Sequence, residues 1–99
     1  MRSLRVFYKG QLAGRLIQEG KKYIFEYEPG YHQEPISLTL PVGFKRFEFD
    51  IFPPFFDGLL PEGYQLEALL RQAKLDRQDY MGQLAFSGKD PCGAVSCEE

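Results

Sequence analysis

The chain has 99 residues and a mass of 11.4 kDa, room for one domain of ordinary size, and its 43% hydrophobic content with nine Phe and six Tyr excludes a disordered polypeptide. Twelve basic residues stand against fourteen acidic ones, for a formal net charge of -2 and a pI near 5.4. That balance lacks the basic face expected of a nucleic-acid binder, and no apolar run approaches the roughly 18 residues of a membrane span.

The first half reads as short strands separated by turns. Leu4 to Tyr8 is rich in β-formers, Lys9-Gly10-Gln11 offers a tight turn, and Leu12 to Ile17 returns as the second arm of a hairpin. After the Glu19-Gly20-Lys21 turn, Tyr23, Phe25 and Tyr27 alternate with Ile24 and Glu26, which predicts a third strand with an aromatic inward face. Pro29-Gly30 ends it. Ser37 to Leu40, bracketed by Pro35 and Pro41, has the composition of a short strand at an edge or between bends. The stretch from Val42 to Ile51 alternates loosely through Phe44, Phe47, Phe49 and Ile51, and it can be a loop whose aromatics plug the core, with no regular element assigned to it.

Pro53-Pro54 introduces Phe55 to Leu60 as a single helical turn. Pro61 suits the first position of a helix, where its missing N–H is harmless, and Leu66, Leu69, Leu70 and Ala73 then fall on one face of a helix running to Ala73. Asp76 is a candidate N-cap with Asp79 at the third position, followed by a buried stripe of Tyr80, Met81, Leu84 and Ala85 and a stop at Gly88. Gly93 to Cys97 can close the sheet. The expected architecture is α+β over residues 1–99. Its small antiparallel, partly barrel-like sheet comes mainly from the N-terminal half, with two helices in the C-terminal half and a short closing strand.

The residues that usually carry chemistry are scarce. His32, the one histidine, sits in a Tyr-His-Gln-Glu-Pro loop with no nucleophile at a recognised spacing. Cys92 and Cys97 form no disulfide framework, and with His32 they fall short of the four ligands of structural zinc. Neither G-x-G-x-x-G nor a Walker-type loop occurs, and Phe56-Asp57-Gly58 only scrambles the kinase Asp-Phe-Gly motif. No catalytic residue, metal site or cofactor site is expected. The N-terminus, with Arg2 and Arg5 interrupting its apolar residues, does not read as a signal peptide, and a reducing cytoplasm is the expected compartment. Two features keep nucleic acid in view as an alternative partner: a local Lys9, Arg15, Lys21 and Lys22 patch, and Tyr23, Phe25 and Tyr27 as a stacking platform.

Four stretches, in order, resemble one family: V-F-Y-K-G-Q-L-A-G-R-L (6–16), P-I-S-L-T-L-P (35–41), P-F-F-D-G-L-L-P-E-G (54–63) and G-K-D-P-C-G-A-V (88–95). Together they are similar to the N-terminal subdomain of HipA-type serine/threonine kinase toxins, the third stretch being the most specific. In that family a kinase follows this subdomain, whereas this sequence stops at Glu99. It thus resembles the small HipS-type protein of three-component toxin–antitoxin systems. The resemblance implies neutralisation, by direct binding, of a kinase that lacks its own N-terminal subdomain, alongside a separate HipB-like DNA-binding protein; from charge and hydropathy, no direct nucleic-acid or membrane partner is expected. A non-inhibitory accessory subunit is the alternative. The aromatic corner around Pro53, Pro54, Gly58 and Gly63 offers the contact residues: Tyr64 with Glu62 and Gln65 beside it, and Phe55, Phe56 and Leu59 behind, although these three suit the core as well.

Overall fold

The computed structural model describes residues 2–88 and 94–99. Three antiparallel strands, β1 (Arg2–Tyr8), β2 (Gln11–Glu19) and β3 (Lys22–Tyr27), form a meander through the two turns that the sequence marks. A fourth strand, β4 (Arg46–Phe49), joins β3 on its outer edge, and β5 (Val95–Glu98) joins β1 on the other, giving the order β4-β3-β2-β1-β5. The sheet is open: β4 and β5 lie at opposite edges, so the partly barrel-like closure expected from the sequence does not occur.

Between the outer strands and the helices the chain departs from expectation in three places. Ser37 to Leu40 is not a strand. Leu40 N–H donates to the Ser37 carbonyl at 3.0 Å and Thr39 N–H to Ser37 Oγ at 3.2 Å, so the backbone turns within the Pro35–Pro41 bracket and drops Ile36 and Leu40 into the core. Residues 46–49, expected in a loop, form β4 because Phe47 and Phe49 face the core opposite Phe25 and Tyr23, while Arg46 and Glu48 face out. The capping residue of the last helix is Asp79, not Asp76; its carboxylate accepts from Gly82 N–H at 3.0 Å, and Asp76 instead accepts from Gln78 N–H in the preceding turn.

Three helical segments follow β4: a single turn α1 (Pro54–Asp57), then α2 (Gly63–Ala73) and α3 (Tyr80–Ser87). α1 and α3 pack into the core on one face of the sheet, and α2 packs on α3. Leu4, Val6, Leu16, Phe25 and Tyr27 meet Phe56 of α1, Met81, Leu84 and Ala85 of α3, and Tyr31, Ile36, Leu40 and Phe52 from the loops. The first and last strands are held by this layer, since α3 packs on both β1 and β5. The close approach of β3 to β2 requires Gly14, where an added Cβ would stand 2.1 Å from the Glu26 carbonyl oxygen. The opposite face is covered by exposed ion pairs, Arg5–Glu98, Arg15–Glu28 and Arg46–Glu26 among them.

The long 28–45 connection is pinned from below. Tyr27 Oη donates to the Leu40 carbonyl and accepts from Ile36 N–H at 3.1 Å, and the Tyr27 and Tyr31 rings stack at 5.6 Å. Desolvation pushes the Tyr27 phenol above its ordinary pKa, so the hydroxyl stays protonated, and able to donate to Leu40, into more alkaline solution than a free tyrosine would.

Candidate functional site

Residues 53–65 form a corner between the sheet layer and α2. Pro53 and Pro54 start α1, and an unbroken series of backbone hydrogen bonds follows: Asp57 N–H to Pro53, Gly58 to Pro54, Leu59 to Phe56 and Leu60 to Asp57, all between 3.0 and 3.1 Å. The corner therefore has little freedom to rearrange. After it the chain runs extended through Glu62 and swings into α2 at Gly63, whose φ of +59° is open to glycine at little cost. That left-handed step explains why α2 begins at Gly63, two residues beyond the proline expected to open it.

The candidate contact residues separate by exposure. Phe56 is 0% exposed, wedged against Phe25 with ring centroids 5.7 Å apart, so it supports the corner from inside and presents no surface to a partner. Phe55 is half-buried, edge-on to Phe56 at 5.1 Å. Leu59 is 40% exposed and Tyr64 95%, with Glu62 and Gln65 open to solvent beside it. The structure thus leaves Tyr64, Glu62, Gln65 and Leu59 exposed and Phe55 half-buried, and removes Phe56 to the core. Helix α2 packs on α3, but of its expected stripe only Leu69 is buried; Leu66, Leu70 and Ala73 are half-covered.

A groove of about 670 Å³ runs beneath the corner, between Phe55, Leu59, Leu60 and Gln65 on one side and Tyr8, Val95 and Cys97 on the other. Sequence reasoning missed it because its walls come from β1, α1, α2 and β5, and no local pattern announces a gap between them. Desolvation raises the Cys97 thiol in its wall to about 12, so that sulfur is an inert neutral group. At the rim, Tyr8 Oη donates to Glu34 Oε2 at 3.0 Å, which, with burial, holds the phenol above its usual pKa.

Other sequence candidates are dispersed. Tyr23, Phe25 and Tyr27 are buried in the core and offer no stacking platform. Lys9 lies at the β1–β2 turn and Lys21 and Lys22 at the far end of nine-residue β2, while Arg15 and Lys9 are paired with Glu28 and Glu34. A single basic patch does not form from them. His32 is exposed, and Cys92 lies outside the described residues. Among the described residues no three His, Cys, Asp or Glu side chains converge as metal ligands, and no helix is long and apolar enough to cross a membrane. What the corner can do chemically is bury apolar surface against a second molecule.

The family model described as the HipA N-terminal domain matches residues 4–98. An uncharacterized protein of Haemophilus influenzae is 31% identical over 99 residues, covering the whole of this chain and 93% of the relative. A solved structure titled N-terminal domain of HipA toxin superposes with a TM-score of 0.77 at 30% identity, covering all of this chain and 94% of that one. With both sequence and fold matched from β1 to β5, the chain belongs to the HipA N-terminal domain family.

Proposed function

We propose that this protein is the antitoxin-like, HipS-type component of a HipA system, and that it binds and neutralises a HipA-type serine/threonine kinase supplied as a separate chain without its own N-terminal domain. The observation that carries the proposal is the exposed, rigid Tyr64 corner on a chain whose whole length matches the HipA N-terminal domain. The part of HipA that it resembles is a non-catalytic subdomain, which fits a protein that acts by binding. It docks on the small lobe of the kinase, as a fused N-terminal domain would, with Tyr64, Leu59 and Gln65 as contacts, and holds the kinase in a form that cannot turn over its protein substrate. The compartment is the cytoplasm, and a HipB-like DNA-binding protein is the third member of the complex.

Anchoring through this corner is physically economical. Its backbone is already ordered, and an aromatic side chain loses few rotamers on docking, so most of the apolar area it buries contributes to affinity. The test is growth rescue. In cells arrested by the kinase, co-expression of this protein restores growth if it neutralises the enzyme. An accessory subunit leaves the cells arrested or deepens the arrest, and that result sinks the antitoxin proposal.

A further inference from the structure

Cations are absent from one continuous part of the chain. Between Phe47 and Leu70 there is no Lys or Arg, but there are five carboxylates: Glu48, Asp50, Asp57, Glu62 and Glu67. Glu48 and Glu67 are neutralised by Arg46 and Arg77. Asp50, Asp57 and Glu62 are exposed and have no ion-pair partner among the described residues. Nor is Glu62 occupied as a cap: it holds the N-cap position of α2, yet its carboxylate makes no capping hydrogen bond.

These three carboxylates lie around the apolar corner. Asp57 ends α1, two residues before Leu59, and Glu62 stands two residues before Tyr64. Asp50 and Asp57 both line a second cleft of about 530 Å³, which shares no lining residue with the groove, together with 67% exposed Ile51 and Tyr80. Lys21 is the one cation in that cleft's wall. An apolar ridge with unpaired carboxylates beside it is complementary to an apolar anchor flanked by positive charge, and it repels an acidic segment.

Resting on the kinase reading above, we infer that the segment of the kinase seated on this corner is basic: an apolar or aromatic side chain that enters the groove beside Leu59 and Gln65, flanked by Lys or Arg that lie against Asp57, Glu62 and Asp50. The carboxylates then act mainly on the rate of encounter and on the choice of partner, and the apolar contacts set how long the complex lasts.

The test measures association and dissociation rates between the protein and a HipA-type kinase core lacking its own N-terminal domain, at low and high salt. The Asp57→Asn/Glu62→Gln protein associates about fivefold more slowly at about 50 mM salt and loses most of the salt dependence, while its dissociation rate stays within about twofold of the parent. Lys21→Gln shifts the association rate the other way. Leu59→Ala speeds dissociation without changing the salt response. All four substituted positions are exposed, and thermal melts confirm that each variant is folded. A parent complex whose association ignores salt and both charge variants, or responds with the opposite sign, overturns the basic-segment inference while leaving kinase binding intact. If the parent forms no complex at all, the kinase reading fails and this inference with it.

Discussion

Replacing Tyr64 with alanine separates recognition from folding, because the side chain is 95% exposed and makes no hydrogen bond or ring contact to the described residues. In the free protein its loss changes stability by no more than about 0.5 kcal/mol, the usual range for a surface substitution. Alanine is the better helix former by a few tenths of a kcal/mol, so the melting temperature stays level or rises slightly. In the complex the balance is different. A docked tyrosine covers on the order of 150 Å², which at about 25 cal/mol per Å² amounts to roughly 3.5 to 4 kcal/mol. Fixing the side chain and partly dehydrating its hydroxyl offset about 1 kcal/mol of that. The remaining ~2 to 3 kcal/mol corresponds to a dissociation constant weakened roughly 30- to 150-fold. Titration calorimetry with the kinase core, paired with a thermal melt of the free protein, measures both terms. A variant that binds within threefold of the parent refutes Tyr64 as an anchor, and one that loses binding together with several degrees of melting temperature shows that the residue supports the fold instead.

Tyr27→Phe removes the hydroxyl that serves Ile36 N–H and the Leu40 carbonyl, leaving two buried backbone groups without that partner. The expected loss is about 2 to 4 kcal/mol in urea unfolding with an unchanged m-value; a loss under about 0.5 kcal/mol would assign the pinning of the 28–45 connection to ring packing alone. In a Cys92→Ser background, where Cys97 is the only thiol, the native protein resists iodoacetamide at pH 8 and reacts once unfolded. The burial that raises this thiol also sets a pH dependence. The folded state keeps the proton to about pH 12 while the unfolded chain releases it near 9.0, so stability contributed by the neutral thiol is complete below pH 9 and declines as pH rises through that window. Rapid alkylation of the native state would show that the thiol reaches water.

Strands marked by turn chemistry were legible in the sequence, and those set by distant partners were not. Gly10 and Gly20 sit at φ of +83° and +59° in the turns that their neighbours announce, and the Tyr23, Phe25, Tyr27 alternation predicts which face of β3 is buried. Residues 46–49 show the same alternation, but they pair with a strand some twenty residues away, and local pattern does not report that pairing. Ser37 to Leu40 misleads for the opposite reason: β-compatible side chains are overruled by a turn built from a serine hydroxyl and two flanking prolines. At the corner, the sequence marks Tyr64 as off the Leu66, Leu69, Leu70 stripe, and the structure exposes it. It cannot assign Phe55, Phe56 and Leu59 between core and surface, because apolar residues this close together around one short helical turn leave in directions that only tertiary packing, such as that of Phe56 against Phe25, decides.

The pairing of the last strand with the first has a consequence for timing. Arg5 opposes Glu98 and Val6 opposes Cys97, so one edge of the sheet is completed by contacts spanning nearly the full described length. During synthesis β1 to β4 can assemble as soon as their turns form, but the Val6 and Tyr8 side of the sheet stays uncovered until α3 and β5 have left the ribosome. Val95 and Cys97 of that strand also line the groove beside Leu59 and Gln65. A nascent chain halted before residue 95 therefore carries the corner but not the groove, so the surface proposed to receive a partner's anchor is completed only after every other described element has been made.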